Sequence, residues 1–200
     1  MEKIILLDNG HGGIIDGVYQ TKGKRSPRWK DGSILYEGEF NRAIVRGISK
    51  KLDELEIKHI NLVPEEEDIS LHERINRANK YAKDYNAFYL SIHSNAGGGH
   101  GWEAYTSIGE TKSDKFVDIL YQEAEASFPN RTIRSDYSDG DVDKESNFYV
   151  LRKTLMPAVL TENFFMDNEN ECKGILMTKY GRHQVITLHV KAILRILEIM

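Results

Sequence analysis

Ala158-Val159-Leu160-Thr161-Glu162 is a short apolar run that ends in a carboxylate, and it shows the pattern from which the fold can be predicted. Two more apolar runs end in a comparable way. Residues 4–7 lead to His11, and residues 88–92 lead to His93. Because functional groups in open α/β sheets lie beyond the carboxyl ends of the strands, these runs predict neighbouring strands that share one site at their common edge.

Length and composition indicate an ordinary soluble globular protein. The 200 residues predict one domain, 1–200, and 40% of them are apolar and 29% charged. A net charge of −4 argues against nucleic acid as the main partner. Cys172 is the single cysteine, so no disulfide can form within the chain. We expect a monomer. No stable membrane insertion is expected, because no segment approaches the roughly 20 apolar residues that a membrane span requires. No signal peptide is expected either, because the apolar run within residues 1–8 is too short.

Several segments have the spacing of amphipathic helices. Apolar residues 40, 44, 48, 52 and 55 recur near the helical period, so a helix that buries this stripe is predicted to begin at Glu37. Ser70 and Glu73 form a capping box, which predicts a second helix through about Lys83 with Leu71 directed inward. Further helices are predicted over residues 112–127 and 179–198.

Short apolar runs and polar loops lie between these helices. Strands are predicted over residues 3–7, 58–63, 87–92, 102–105 and 157–162. Residues 14–36 and 129–147 are predicted as long polar loops, the first as a substrate-facing rim, and the acidic residues 65–68 as a solvated loop. The alternation predicts an α/β fold, a three-layer sandwich with a mostly parallel or mixed central sheet of about six strands and helices on both faces.

A metal hydrolase needs about three nitrogen or oxygen ligands, an open position for water, and a carboxylate that takes a proton from that water. His11, Glu37 and His93 are the candidate zinc ligands, and Glu162 is the candidate general base. Each has a structural alternative: a turn histidine, a charge at a helix N-terminus, a hydrogen-bonded core histidine, and an ion pair of Glu162 with Arg152. Because these residues lie far apart along the chain, their spacing alone leaves both interpretations open.

Six motifs follow one another through most of the chain. They are Leu6-Leu7-Asp8-Asn9-Gly10-His11-Gly12-Gly13; Glu37-x-x-x-Asn41; the segment 69–79 with its Ser70-Leu71-x-Glu73-Arg74; Leu90-Ser91-Ile92-His93-Ser94-Asn95-Ala96; Gly101-Trp102-Glu103-Ala104-Tyr105; and the segment 150–165 with Met156-Pro157-Ala158-Val159-Leu160-Thr161-Glu162. With these motifs the chain resembles the zinc-dependent N-acetylmuramoyl-L-alanine amidases of the Amidase_3 type, which include bacterial cell-wall hydrolases and phage endolysins.

The resemblance implies that Zn²⁺ is the cofactor, that His11, Glu37 and His93 are its ligands, and that Glu162 is the catalytic carboxylate. Glu39 competes with Glu37 for the ligand position. We prefer Glu37 because an asparagine, Asn41, follows it at the family's spacing of four residues. The family's first turn usually contains a proline where this chain has Asn9, and its loop 14–36 is longer than usual.

The implied substrate is peptidoglycan. The reaction would cleave the amide between the lactoyl group of N-acetylmuramic acid and L-alanine of the stem peptide, so the protein would act on the bacterial cell wall, either as a phage endolysin or as a host autolysin. Arg152, Asn95 and Asn147 are candidate substrate contacts.

Two alternatives use the same residues differently. A zinc peptidase or carboxypeptidase acting on cell-wall peptides would need a pocket for a terminal carboxylate, which Arg152 or Arg28 would line. A non-catalytic peptidoglycan-binding module would need no general base, so the presence of Glu162 together with the three candidate ligands argues against it.

Overall fold

The computed structural model describes residues 1–138, 140 and 142–200, and its core is a mixed β-sheet. Along the chain the strands are β1 (Glu2–Asn9), β2 (Ile14–Ile15), β3 (Val18–Tyr19), β4 (His59–Asn61), β5 (Tyr85–Asn95), β6 (Glu103–Thr106), β7 (Lys144–Glu145) and β8 (Ala158–Phe165). The helices are α1 (Glu37–Glu54), α2 (Leu71–Asn79), α3 (Asp114–Ser127), α4 (Tyr149–Lys153), α5 (Glu169–Glu171) and α6 (Lys179–Ile199), and a π-helical segment, Cys172–Leu176, follows α5.

The central sheet has six strands in the order β4-β1-β5-β8-β6-β7. Strands β4, β1, β5 and β8 run parallel to one another, whereas β6 is antiparallel to β8 and parallel to β7. The strands β2 and β3 pair in a small separate hairpin. The carboxyl ends of β1, β5 and β8 therefore meet at one edge of the sheet, as the sequence predicts.

Helices cover both faces of the sheet, which confirms the predicted three-layer α/β sandwich. Alternate residues of a strand point to opposite faces. Ile5 and Leu7 therefore enter a core shared with α1, α3 and α6, whereas Ile4 and Leu6 enter a second core shared with α2 and α4. No helix in the described part of the chain combines the length and the apolar character that crossing a membrane requires.

Several predicted details are wrong in the part of the chain that the structure describes. Leu55 is 48% exposed because α1 ends one residue earlier, and Leu71 is 53% exposed because it is the first residue of α2. That helix ends at Asn79 and not near Lys83. The segment 14–36 is not entirely loop, since it contains the hairpin of β2 and β3.

Two segments predicted as polar loops also contain more structure than expected. The acidic residues 65–68 are tied to arginines: Glu65 pairs with Arg77 at 2.9 Å, and Glu66 pairs with Arg46 at 2.6 Å. The segment 129–147 contributes β7 to the sheet edge. Within that segment, Asp139 and Asp141 lie outside the described residues.

A buried histidine links α6 to β8. His189 is 0% exposed; its Nδ1 donates to the carbonyl of Val185 at 2.7 Å, and its Nε2 lies 3.0 Å from Thr161 Oγ1. Because a carbonyl can only accept, Nδ1 carries the proton, and Nε2 accepts from the threonine hydroxyl. Burial lowers the pKa of His189 to about 4, so the histidine is neutral in the folded protein.

We therefore expect His189 to make folding sensitive to acid. Below about pH 6.5 the unfolded chain protonates this side chain and the folded chain does not, so stability falls as the pH drops from about 6.5 towards 4. Relative to the variant His189→Gln, the wild-type protein should lose about 3 kcal/mol over this range, as measured by urea unfolding. The matched control is His183→Gln, which replaces an exposed histidine of the same helix and should follow the wild type. If the free energy of unfolding changed with pH in the same way for all three proteins, His189 would not be the source of the acid sensitivity.

Candidate metal centre and general base

Three side chains from separate elements converge at the carboxyl edge of the sheet. His11 follows β1, Glu37 opens α1, and His93 lies near the end of β5. Glu37 Oε1 is 3.1 Å from His11 Nε2 and 3.0 Å from His93 Nδ1. One potential ligand atom from each of the three residues lies within 4.8 Å of the others.

The turn after β1 brings His11 into this position. The φ angle of His11 is 70°, a left-handed backbone conformation that is uncommon outside glycine and often found at functional sites. Asn41 holds the turn from α1, since its Nδ2 donates to the carbonyl of Gly10 at 2.9 Å. At Gly10 a Cβ atom would lie 2.0 Å from the ring of His93, so only glycine lets the imidazole pack here.

Arg74 braces the same turn from the other side of the sheet. It is 1% exposed and forms an ion pair with Asp8, with Nη1 and Oδ1 2.6 Å apart. The same nitrogen donates to the carbonyl of Asn9 at 2.8 Å. Burial alone would raise the pKa of Asp8, but the charge of Arg74 and a hydrogen bond from Ser91 hold it below its ordinary value.

The motif that contains Arg74 does not by itself predict this ion pair. The sequence does indicate that Arg74 is buried, because it lies four residues before Ala78 and therefore on the same inward face of α2. An arginine on a buried face needs an acid, and Asp8 at the end of a buried strand is the acid it pairs with.

The charges in the cluster are coupled. Burial alone would raise the pKa of Glu37, but its contacts with His11 and His93 bring the pKa below the ordinary value. Burial works in the opposite direction on the histidines. It lowers the pKa of His11, whereas for His93 the hydrogen bond and charge of Glu37 outweigh burial and raise the pKa. Glu37 is therefore ionised, as a carboxylate ligand must be.

Glu162 lies beside the cluster because β8 pairs with β5 in a fixed register. His93 is directly opposite Glu162 on β5, and Glu103 is directly opposite it on β6. Asn163 fastens the two parallel strands, since its Nδ2 donates to the carbonyl of His93 at 3.0 Å. Burial, with the nearby charges of Glu37 and Glu103, raises the pKa of Glu162 to about 8, and its Oε2 is buried without a hydrogen-bond partner.

A cavity of about 290 Å³ opens over these residues. His11, His93 and Glu162 line it at the sheet edge, together with residues from the segment 14–36 and from α2 and α4. The lining residues contributed by these segments are Lys24, Leu71, Arg74, Tyr149 and Val150.

The three predicted substrate contacts lie in different places. The side chain of Asn95 is held by Glu103, to which its Nδ2 donates at 2.5 Å. Arg152 stacks over the ring of Tyr149 and lines a separate depression, so it does not pair with Glu162. Asn147 is exposed next to Phe148, which does line the cavity over the cluster. Contact of these three residues with a substrate stays a prediction.

The residues of the cluster fit Zn²⁺, which binds histidine nitrogens and carboxylate oxygens. His11 Nε2 is buried without a well-aligned hydrogen-bond partner, as expected for a nitrogen that is free to ligate. Glu39 is directed elsewhere: a Cβ atom at Gly13 would lie 2.8 Å from its Oε1. Of the two candidate glutamates, the geometry therefore brings Glu37 and not Glu39 to the histidines.

This difference predicts opposite outcomes for two similar substitutions. Glu37→Ala removes an oxygen ligand and should weaken Zn²⁺ binding by at least about tenfold, the lower end of the loss seen when even a hydrogen-bonding partner of a ligand is removed. Glu39→Ala, two residues away on the same helix, should bind Zn²⁺ like the wild type. Competition with a chromogenic chelator measures both affinities. Equal losses in the two variants, or a loss only for Glu39→Ala, would contradict the assignment.

Comparison with known proteins gives consistent matches. A family model described as N-acetylmuramoyl-L-alanine amidase matches residues 5–195. The chain is 40% identical over 111 residues to the N-acetylmuramoyl-L-alanine amidase CwlM of Bacillus licheniformis, covering 55% of this chain and 40% of that protein. It is 30% identical over 181 residues to a sporulation-specific N-acetylmuramoyl-L-alanine amidase of Bacillus subtilis (strain 168), covering 88% and 61%. The chain therefore spans less than two thirds of either relative.

The fold also matches a solved structure. The catalytic domain of CwlV, an N-acetylmuramoyl-L-alanine amidase from Bacillus (Paenibacillus) polymyxa var. colistinus, superimposes with a TM-score of 0.77 and 24% sequence identity, covering 99% of both chains. At this identity the similarity supports the fold alone.

Proposed function

The chain belongs to the N-acetylmuramoyl-L-alanine amidase family, and from that premise we propose that it is a zinc-dependent peptidoglycan amidase. The bond cleaved is the amide between the lactoyl group of N-acetylmuramic acid and L-alanine of the stem peptide. We further propose that residues 1–200 act as a single catalytic domain and as a monomer on the bacterial cell wall.

One observation supports the proposal more than any other. Two histidines and a glutamate gather within 4.8 Å at a strand edge, and the unpartnered carboxylate of Glu162 lies in register beside His93. This arrangement supplies three ligands and one base in a cavity, as hydrolysis by an activated water requires.

In this mechanism His11, Glu37 and His93 would hold Zn²⁺, which when bound would lower the pKa of water towards about 7 and polarise a carbonyl. The charge of bound Zn²⁺ would favour the ionised form of Glu162, whose carboxylate then accepts the proton of the attacking water. It then donates that proton to the departing amine of L-alanine, because an amine leaves far more readily than an amide anion. Asn163, which donates to the carbonyl of His93, and Thr161, which donates to His189 of α6, keep β8 fixed on both sides of Glu162 while the proton moves.

The alternatives receive less support. A carboxypeptidase would need Arg152 or Arg28 to bind the terminal carboxylate of its substrate. Arg152 lines a separate depression, and Arg28 donates to the carbonyl of Gly32. A non-catalytic binding module would gain nothing from a buried, unpartnered carboxylate such as Glu162, which costs free energy to maintain.

The products of peptidoglycan digestion test the function directly. Purified peptidoglycan is treated with zinc-loaded protein and, in parallel, with protein stripped by a chelator, and the soluble fragments are analysed by mass spectrometry. We expect stem peptides with a free N-terminal L-alanine from the zinc-loaded protein alone. Free terminal amino acids would instead indicate a peptidase, and binding without any product would indicate the non-catalytic module.

A further inference from the structure

The cavity over the cluster of His11, Glu37 and His93 contains a lysine that forms no ion pair with any described residue. Of the lining residues, Lys24 and Arg74 are the permanent cations. Arg74 is saturated, since its nitrogens contact Asp8 and Asp68 and the carbonyls of residues 9, 11 and 69. No carboxylate among the described residues forms an ion pair with Lys24. Its ammonium is therefore available to a ligand that enters the cavity.

The fold fixes where Lys24 stands. Its carbonyl accepts hydrogen bonds from the backbone N–H of Glu37 and from the hydroxyl of Tyr19, both at 2.9 Å. The same hydroxyl accepts from the N–H of Gly38 at 2.9 Å, so the main chain at Lys24 is tied to the first turn of α1. That turn also carries Glu37 of the metal cluster. The main chain of Lys24 is thus held next to the candidate ligands, and its exposed side chain extends from this fixed point.

The chemistry of the substrate indicates what the ammonium would meet. The sugar side of the scissile amide carries hydroxyl and acetamido groups, and its lactoyl carboxyl is consumed in the amide itself. The negative charges of the substrate therefore lie on the peptide side, as free carboxylates of the residues that follow alanine. A carboxylate would replace the water around Lys24 with a charge-assisted hydrogen bond.

We propose that Lys24 determines substrate specificity by pairing with a free carboxylate on the peptide side of the scissile bond. The inference rests on the proposed amidase function and adds the class of stem peptide that is preferred. Peptides in which this carboxylate is amidated lose the charge-assisted bond and should be cleaved about tenfold less efficiently. In this role Lys24 positions substrate. Its charge also counteracts the rise in the pKa of Glu162, so the ratio between free and amidated substrates, and not the absolute rate, measures recognition.

Four synthetic N-acetylmuramoyl tripeptides test the proposal. The second residue carries either a free carboxylate or a carboxamide, and so does the C-terminus, in all combinations. The ratio of kcat/KM between free and amidated substrates is measured for zinc-loaded wild type, Lys24→Met and Lys24→Glu. The matched control is Lys22→Met, two residues earlier on the same segment, which lines a different depression.

We expect the wild type and Lys22→Met to prefer one free carboxylate about tenfold. Lys24→Met should lose that preference, and Lys24→Glu should prefer the amide. The position at which amidation matters identifies whether the second residue or the C-terminus is recognised. Unchanged ratios in both Lys24 variants would overturn the proposal.

Binding separates failure of the proposal from failure of the proposed function. The tripeptides are titrated into zinc-loaded Glu162→Gln protein with and without Lys24→Met, and the proposal requires the added substitution to weaken binding of the free carboxylate by about tenfold. If the wild type releases peptides with a free N-terminal L-alanine but Lys24→Met does not change the affinity for the tripeptides, the role of Lys24 is refuted and the amidase function stands. Absence of such cleavage in the wild type would refute the function, and the inference would fall with it.

Discussion

Glu162→Gln is expected to lower kcat on peptidoglycan by about 10²–10⁴-fold, the usual contribution of a positioned acid–base group. The amide has the size and shape of the carboxyl group but cannot accept a proton. Because Oε2 of Glu162 is buried without a hydrogen-bond partner, the substitution breaks no bond that holds the fold. Turnover is measured by the release of peptides with an N-terminal L-alanine.

Three further measurements separate a chemical role from a structural one. Zn²⁺ affinity should be retained in Glu162→Gln, since the proposed ligands are His11, Glu37 and His93. Stability of the metal-free protein should be unchanged or higher at neutral pH, because the substitution removes an acid whose pKa burial raises to about 8. Glu162→Asp, which keeps a base on a shorter side chain, should retain part of the activity. Full activity of Glu162→Gln with bound Zn²⁺ would exclude Glu162 as the base.

The candidate site could be predicted from sequence because its residues stand at the ends of recognisable strands. Apolar runs before His11, His93 and Glu162 predict parallel strands, and parallel strands place their carboxyl ends together. The choice between Glu37 and Glu39 needed the amidase resemblance, since both lie in the first turn of one helix. In the structure Asn41 explains the spacing, because it binds the carbonyl of Gly10 from one turn beyond Glu37.

What could not be predicted depends on the direction in which individual side chains point. Leu71 fits an inward stripe by spacing, yet at the first position of α2 it lies at the mouth of the cavity. The sequence predicts residues 65–68 to be solvated because their arginine partners are distant along the chain, on α1 and α2. Nothing in the sequence distinguishes Lys24 from the other lysines, because its position depends on the hydrogen bonds by which its carbonyl is tied to α1. These features depend on tertiary packing, which local patterns do not report.

The largest loss of stability is expected from Arg74→Met. The substitution keeps the length and apolar volume of the side chain but leaves the carboxylate of Asp8 buried at 1% exposure without its cation. Removing one partner of a buried ion pair typically costs about 3–5 kcal/mol. We expect that loss in the free energy of unfolding, measured by urea denaturation of the metal-free protein. The turn before His11 should also loosen, since Arg74 no longer binds the carbonyl of Asn9.

Arg77→Met provides the matched control, because Arg77 lies on the same helix and also bonds to two acids, Glu65 and Glu73. These ion pairs are partly exposed and screened by solvent, so their loss should cost no more than about 1 kcal/mol. If the uncompensated charge of Asp8 is the cause, adding Asp8→Asn to Arg74→Met should recover much of the stability, because the amide is neutral and still accepts from Ser91. Equal losses for Arg74→Met and Arg77→Met, with no recovery in the double variant, would show that the brace is not electrostatic.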